Sequence, residues 1–177
     1  MRTLINSLVI ASAVLINVIG AGSAQAADNA DARLKELNLA LPEIPVSVGN
    51  YVGVVQVGNL LYVSGNTHGP VGPKGKLGRE ISIEQGYESS RQIALRELSI
   101  VRSYLGSLNR IKKVVKVLGM VNSADGFGDQ PKVIDGFSDT MVAVFGDKIG
   151  THARSTVGVA GVPGNNPVII EMILEIE

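Results

Sequence analysis

The sequence predicts a two-layer α+β domain, a mixed sheet with two helices on one face, in the order β-β-α-β-α-β-β. Three observations predict it. Short β-prone runs flank Gly58-Asn59 and the Pro163–Pro167 cluster, a long amphipathic segment follows Ser82, and a near-continuous apolar run spans Val114 to Val121. Strands with interspersed helices call for layers that bury one sheet face under helices.

Residues 1–26 read as a secretory signal rather than as part of the fold. Arg2 supplies a positive start, Leu4 to Ile19 an apolar stretch, and Ala24-Gln25-Ala26 an A-x-A cleavage site. An uncleaved anchor is the competing reading, but Asn6, Ser7 and Asn17 dilute the stretch and a charged segment follows it at once. The expectation is a periplasmic or secreted chain, with residues 27–177 as its single domain and no membrane attachment after cleavage.

Asp31 to Leu39 reads as a short helix, followed by an extended lead-in past Pro42 and Pro45. Tyr51 to Val57 and Leu60 to Ser64 read as a hairpin, because Gly and Asn accept the positive φ of a two-residue turn. Residues 65–78 hold five glycines and two prolines and read as a loop. Ser82 and Gln85 form a capping box, in which each side chain satisfies an otherwise orphaned backbone N–H. Ile93, Ala94, Leu98, Val101 and Leu105 then keep the helical period, and Gly106 is the stop. Arg91, Arg96 and Arg102 fall on the wet side of that wheel.

The run Val114 to Val121 reads as a strand with neighbours on both sides. A second helix opens at Gln130-Pro131 and runs through Val144, with Gly146 near its end. Thr151 to Val162 and Val168 to Ile176 read as a terminal hairpin. His152, Arg154 and Thr156 share one face of its first strand, while Val157 and Val159 share the other, taken as the core side. The sheet face away from the helices stays rich in Val, Ile and Leu, and such a face calls for cover by further copies.

Of the 177 residues, 16 are basic and 16 acidic, so the formal net charge is zero. With four Tyr, three Phe and no Trp, the chain lacks the basic footprint and stacking rings of a nucleic-acid binder. Absence of cysteine excludes disulfides and thiolate chemistry, and two histidines make an all-protein metal cage improbable on composition.

The segments YVGVVQVGNLLYVSG (51–65) and HARSTVGVAGVPGNNPVIIEM (152–172), with two helices between them, resemble the RidA family, the YjgF or endoribonuclease L-PSP/chorismate-mutase-like group. The resemblance implies a chorismate-mutase-like fold, a homotrimeric barrel with ligand clefts between subunits, and cofactor-free hydrolysis of enamines and imines of the 2-aminoacrylate type to 2-oxo acids and ammonia. It implies that Arg154 grips the ligand carboxylate, that Tyr51 lines the cleft and that the backbone at Gly65 closes on the substrate. Asn66 stands where a glutamine often follows Ser-Gly. The water-orienting carboxylate, the first Glu of a V-E-I-E-like pattern, is here Ile169, and only the second, Glu171, is kept. A ribonuclease reading comes from the family's name alone, and the neutral charge argues against it.

The residues themselves leave alternatives open. Arg154 is either a carboxylate receptor, gripping with two parallel hydrogen bonds, or an edge-strand arginine paired with an acidic neighbour. Glu171 shares parity with Ile169, roughly 7 Å away, and is a substitute base, a partner of Arg154 or an interface ion pair. His152 is a proton shuttle or a capping histidine. The cluster Arg110, Lys112, Lys113 and Lys116 reads as a solvated edge. Two functions follow: imine hydrolysis with Arg154 and Glu171, or capture of a small carboxylate or imino acid without turnover.

Overall fold

The computed structural model describes residues 29–44 and 49–177. The expected signal segment, residues 1–26, lies outside the described residues. The chain runs α1 (Ala30–Glu36), β1 (Val54–Val57), β2 (Leu60–Asn66), α2 (Ile83–Leu105), β3 (Ile111–Asn122), α3 (Gln130–Gly150), β4 (Ala153–Val159) and β5 (Val168–Ile176). One five-stranded sheet has the order β1-β2-β5-β3-β4, and its burial pattern places the helices on one face. This is the mixed α+β architecture expected.

Local signals built the local elements. The β1–β2 hairpin turns at Gly58-Asn59 with Val57 opposite Leu60, and Gly58 takes φ +60°. The capping box on α2 is complete: the Ser82 backbone N–H donates to Gln85 Oε1 at 2.9 Å, and the Gln85 N–H donates to Ser82 Oγ at 3.2 Å. Gly106 ends α2 in the left-handed conformation, φ +83°. In α3 the helix breaks at Gly146, whose φ of +71° is non-helical, and a further short piece continues to Gly150.

The terminal hairpin is corrected. β4 does not pair with β5; it lies parallel to β3, while β5 lies antiparallel between β2 and β3. A parallel neighbour needs a crossover, and α3 supplies it between β3 and β4. The turn cluster after β4 therefore carries the chain across β3 instead of folding it back. Buried Asn122 holds that crossing, donating through Nδ2 to Gly75 O, Asn165 Oδ1 and Asn166 O, while its backbone N–H donates to Pro167 O.

Along β5 the alternation is clean. Val168, Ile170, Met172, Leu174 and Ile176 are buried beneath the helices, and Ile169, Glu171, Ile173 and Glu175 take the other face. Across the sheet, Arg154, Val117 and Met172 form one row and Ser155, Leu118 and Glu171 the next. Since Val117 and Met172 are core residues, Arg154 faces α3, and Val157 lies on the open face with 45% exposure. This reverses the expected polarity of β4, because alternation fixes parity but not which parity meets the helices. On the open face Val55, Val57 and Tyr62 are likewise exposed.

Helices α2 and α3 pack closely enough to need a residue without a side chain. A Cβ placed on Gly136 would lie 2.1 Å from the Tyr87 carbonyl oxygen.

Candidate functional site

A cavity of about 860 Å³ opens where β1, β2 and α2 meet the 163 turn. Apolar walls come from Ile44, Val52, Val54, Ile100 and Ile169, and aromatic ones from Tyr51 and Tyr104. Ser64, Asn66, Thr67 and Ser103 give polar edges, and Arg96 is the one charged side chain in the lining among the described residues. Three residues expected at the site, Tyr51, Gly65 and Asn66, are therefore brought together. Arg154 and Glu171 are not among them.

The chain builds this cavity from an irregularity. The β2–β5 register shifts between Val63 and Asn66, so Ser64-Gly65 bulges out of the ladder. Gly65 has no side chain to cover Ile169; a Cβ there would stand 3.2 Å from the Ile169 side chain. The position that resemblance assigns to a water-orienting carboxylate is thus a branched apolar wall. The loop after β2 is anchored by two lysines. Lys74 Nζ donates to Gly69 O and Asn166 Oδ1, and Lys76 Nζ to Asn122 Oδ1, Ser123 O and Ala160 O.

Arg154 sits at the margin between β4 and α3. Its Nη1 donates to Asp135 Oδ1 at 2.8 Å and to Ser138 Oγ at 3.0 Å. Nε and Nη2, the edge a carboxylate grips side-on, make no hydrogen bond among the described residues. His152 Nδ1 lies 2.6 Å from the Gly150 carbonyl, which only accepts, so that nitrogen carries the proton. In the neutral ring Nε2 then accepts from the Ser138 hydroxyl at 3.0 Å, leaving the serine oxygen to accept from Arg154. Burial lowers the His152 pKa, opposed by the Gly150 hydrogen bond and helped by the Arg154 and Lys113 charges. His152 is thus a positioning group within the Arg154 network.

Glu171 lies on the opposite face of the sheet from Arg154, in a shallow concavity with Lys116, Tyr62 and Leu118. The two do not pair, and Lys116 Nζ is directed to Ser155 Oγ at 2.7 Å.

Two groups at the cavity escaped the sequence reading. Arg96, assigned to the wet side of α2, points into it. Glu97, beside it, is fully buried, and neither carboxyl oxygen has a hydrogen-bond partner among the described residues. Burial drives its pKa well above 4.5, with the Glu171 charge pushing the same way and the Asn66 amide pulling against them. That amide donates to Ser64 O at 2.7 Å rather than to Glu97. The signal was present: Glu97 stands four residues after Ile93 and four before Val101, inside the apolar stripe.

A family model for "YjgF/chorismate mutase-like, putative endoribonuclease" proteins matches residues 31–176. The chain belongs to this RidA (YjgF) family. A relative, Protein TCP17 of Trypanosoma cruzi, is 37% identical over 148 residues, covering 82% of this chain and 92% of its own. A 2-iminobutanoate/2-iminopropanoate deaminase of Dermatophagoides farinae is 32% identical over 143 residues, covering 78% and 95%. Among solved structures, the protein Atu1372 of Agrobacterium tumefaciens, of unknown function, superposes with a TM-score of 0.76 at 36% identity, covering 86% of this chain and 94% of that one. The chorismate-mutase-like fold of the family is thus the fold of this chain.

Proposed function

We propose that this RidA-family chain captures small 2-oxo and 2-imino carboxylates, as a homotrimer working outside the cytoplasm once residues 1–26 are removed. The observation that carries this reading is the cavity lining. It gathers Tyr51, Gly65 and Asn66 with a free-standing guanidinium, yet holds Ile169 and, among the described residues, no carboxylate. A binding surface needs no general base, whereas a hydrolytic one gains rate from it. The apolar open face, with Val55, Val57, Tyr62 and Val157 exposed, supports assembly. In that assembly Arg154 of one copy would face the cavity of the next and take the ligand carboxylate on its Nε–Nη2 edge, while Asp135 and Ser138 hold Nη1.

Imine hydrolysis is the second reading, favoured by the deaminase named among the relatives. Water adds to the imine carbon, the C=N pair moves to nitrogen, and the resulting carbinolamine collapses to the C=O of the oxo acid as ammonia leaves. In this chain the water would be oriented by Ser64 and Asn66 at the cavity edge, or by a carboxylate outside the lining.

The test combines calorimetric binding of 2-oxobutyrate with ammonia release from freshly generated imines. Binding with little ammonia supports capture, and rapid ammonia release replaces it with hydrolysis. Arg154→Ala is expected to weaken 2-oxobutyrate binding about a hundredfold, a loss of roughly 3 kcal/mol, with Arg154→Lys restoring little because an ammonium lacks the planar fork. Unchanged affinity in Arg154→Ala removes that residue from the site.

A further inference from the structure

Arg96 is the unexplained group of the cavity. Among the described residues it is the single charged residue in the lining, and its guanidinium makes no hydrogen bond or ion pair with any of them. The loop after β2 closes behind it: a Cβ on Gly69, whose φ is +107°, would lie 2.8 Å from Arg96 Nη1. Other groups nearby do not balance its charge. Lys74 is a second cation, engaged by Gly69 O and Asn166 Oδ1. Buried His68 has its pKa lowered by burial and by the Lys74 and Arg96 charges, so it stays neutral. Glu97, next along the helix, faces the core and is held protonated by burial.

A guanidinium partly exposed in an open cavity is hydrated. A ligand that fills the cavity with carbon strips that water and leaves a desolvated, unpaired charge, which is costly. A ligand long enough to fill the cavity therefore binds best when it presents an anion to Arg96. In the reading above the carboxylate of the 2-oxo or 2-imino acid is already held by Arg154, and the present inference rests on that reading. The volume of about 860 Å³ leaves room well beyond a three- or four-carbon acid.

We propose that Arg96 seats a second anionic group, so that the ligand class is a 2-oxo or 2-imino dicarboxylate, the form derived from an acidic amino acid. Its methylenes would lie against Ile100, Val54 and Ile169, and Asn66 and Thr67 offer polar partners along its length. Arg96 is then the specificity-determining residue, and monocarboxylates bind through the other end alone.

Isothermal titration of the full mature chain with 2-oxobutyrate and 2-oxoglutarate tests this. The wild type is expected to bind 2-oxoglutarate ten- to hundredfold more tightly, the range of an added charge-assisted pair. Arg96→Met should erase that preference, bringing the affinities for the two acids within about twofold of each other, and an unchanged far-ultraviolet circular dichroism spectrum shows that the variant is folded. Wild type binding both acids equally overturns the proposal without touching the capture reading, and so does Arg96→Met that keeps the preference. Loss of both ligands in folded Arg96→Met assigns Arg96 to the common carboxylate and overturns the dicarboxylate class. Wild type that binds neither acid overturns capture and this inference together.

Discussion

Glu97 offers a prediction whose size follows from its surroundings. The carboxyl is fully buried, lacks a hydrogen-bond partner on either oxygen among the described residues, and has its pKa raised well above 4.5 chiefly by burial. Below the unfolded value both states of the chain hold the proton, and the group adds no pH dependence. Above it the unfolded chain releases the proton while the folded chain keeps it, so stability falls as pH rises, until the folded value is reached. The slope in that window is about 1.4 kcal/mol per pH unit for one proton. Glu97→Gln and Glu97→Met remove the ionisation. Each variant's stability relative to wild type should therefore climb as pH rises above 4.5, at up to about 1.4 kcal/mol per unit, and level off at the folded value. Urea unfolding followed by circular dichroism, at half-unit steps from pH 4.5 to 8 and fixed protein concentration, reads this directly. The Met variant guards against a buried amide introducing its own unsatisfied donor. Wild-type and variant stabilities that run parallel across the range would show that Glu97 ionises as freely in the folded chain as in the unfolded one, and the argument from burial would be wrong.

Two further outcomes are expected. Gly136→Ala places a Cβ 2.1 Å from the Tyr87 oxygen and must part α2 from α3; overpacking of about 3 kcal/mol corresponds to a melting temperature lower by about 6–12 °C, and an unchanged melting curve contradicts the close approach. Ile169→Glu puts a carboxylate beside Gly65 in the cavity wall and should raise ammonia release from iminobutyrate about a hundredfold, a typical gain from a placed general base; an unaltered rate means that water orientation does not depend on this position.

What could be read in advance was local. The Gly58-Asn59 turn, the Ser82–Gln85 box and the stop at Gly106 are written in a few adjacent residues, and each marks a boundary in the structure, although β1 starts at Val54 and not at Tyr51. Pairing partners are not written that way. The Pro163–Pro167 cluster has the composition of a hairpin turn, but Asn122 and Lys76, distant in sequence, hold it as a crossing over β3. The face that Arg154 takes likewise depended on where α3 lies, which alternation along β4 cannot tell. At the cavity, Tyr51, Gly65 and Asn66 came together through one bulge. Arg96 went unread because a helical wheel marks residues as facing away from the core without saying whether water or a cavity wall stands there.

Placing β5 between β2 and β3 has a consequence for how the molecule comes into being. The strand that joins the sheet, Val168–Ile176, is made after all four strands it helps to hold together. Until it emerges, the nascent chain can hold the β1–β2 ribbon and the β3–α3–β4 unit, but each keeps a raw edge where β5 belongs. Two unpaired edges in one unfinished molecule are a template for pairing with another such molecule. Completion therefore acts as a latch: a single segment closes both edges at once, and a chain cut short at Pro167 would be two exposed ribbons rather than a smaller sheet.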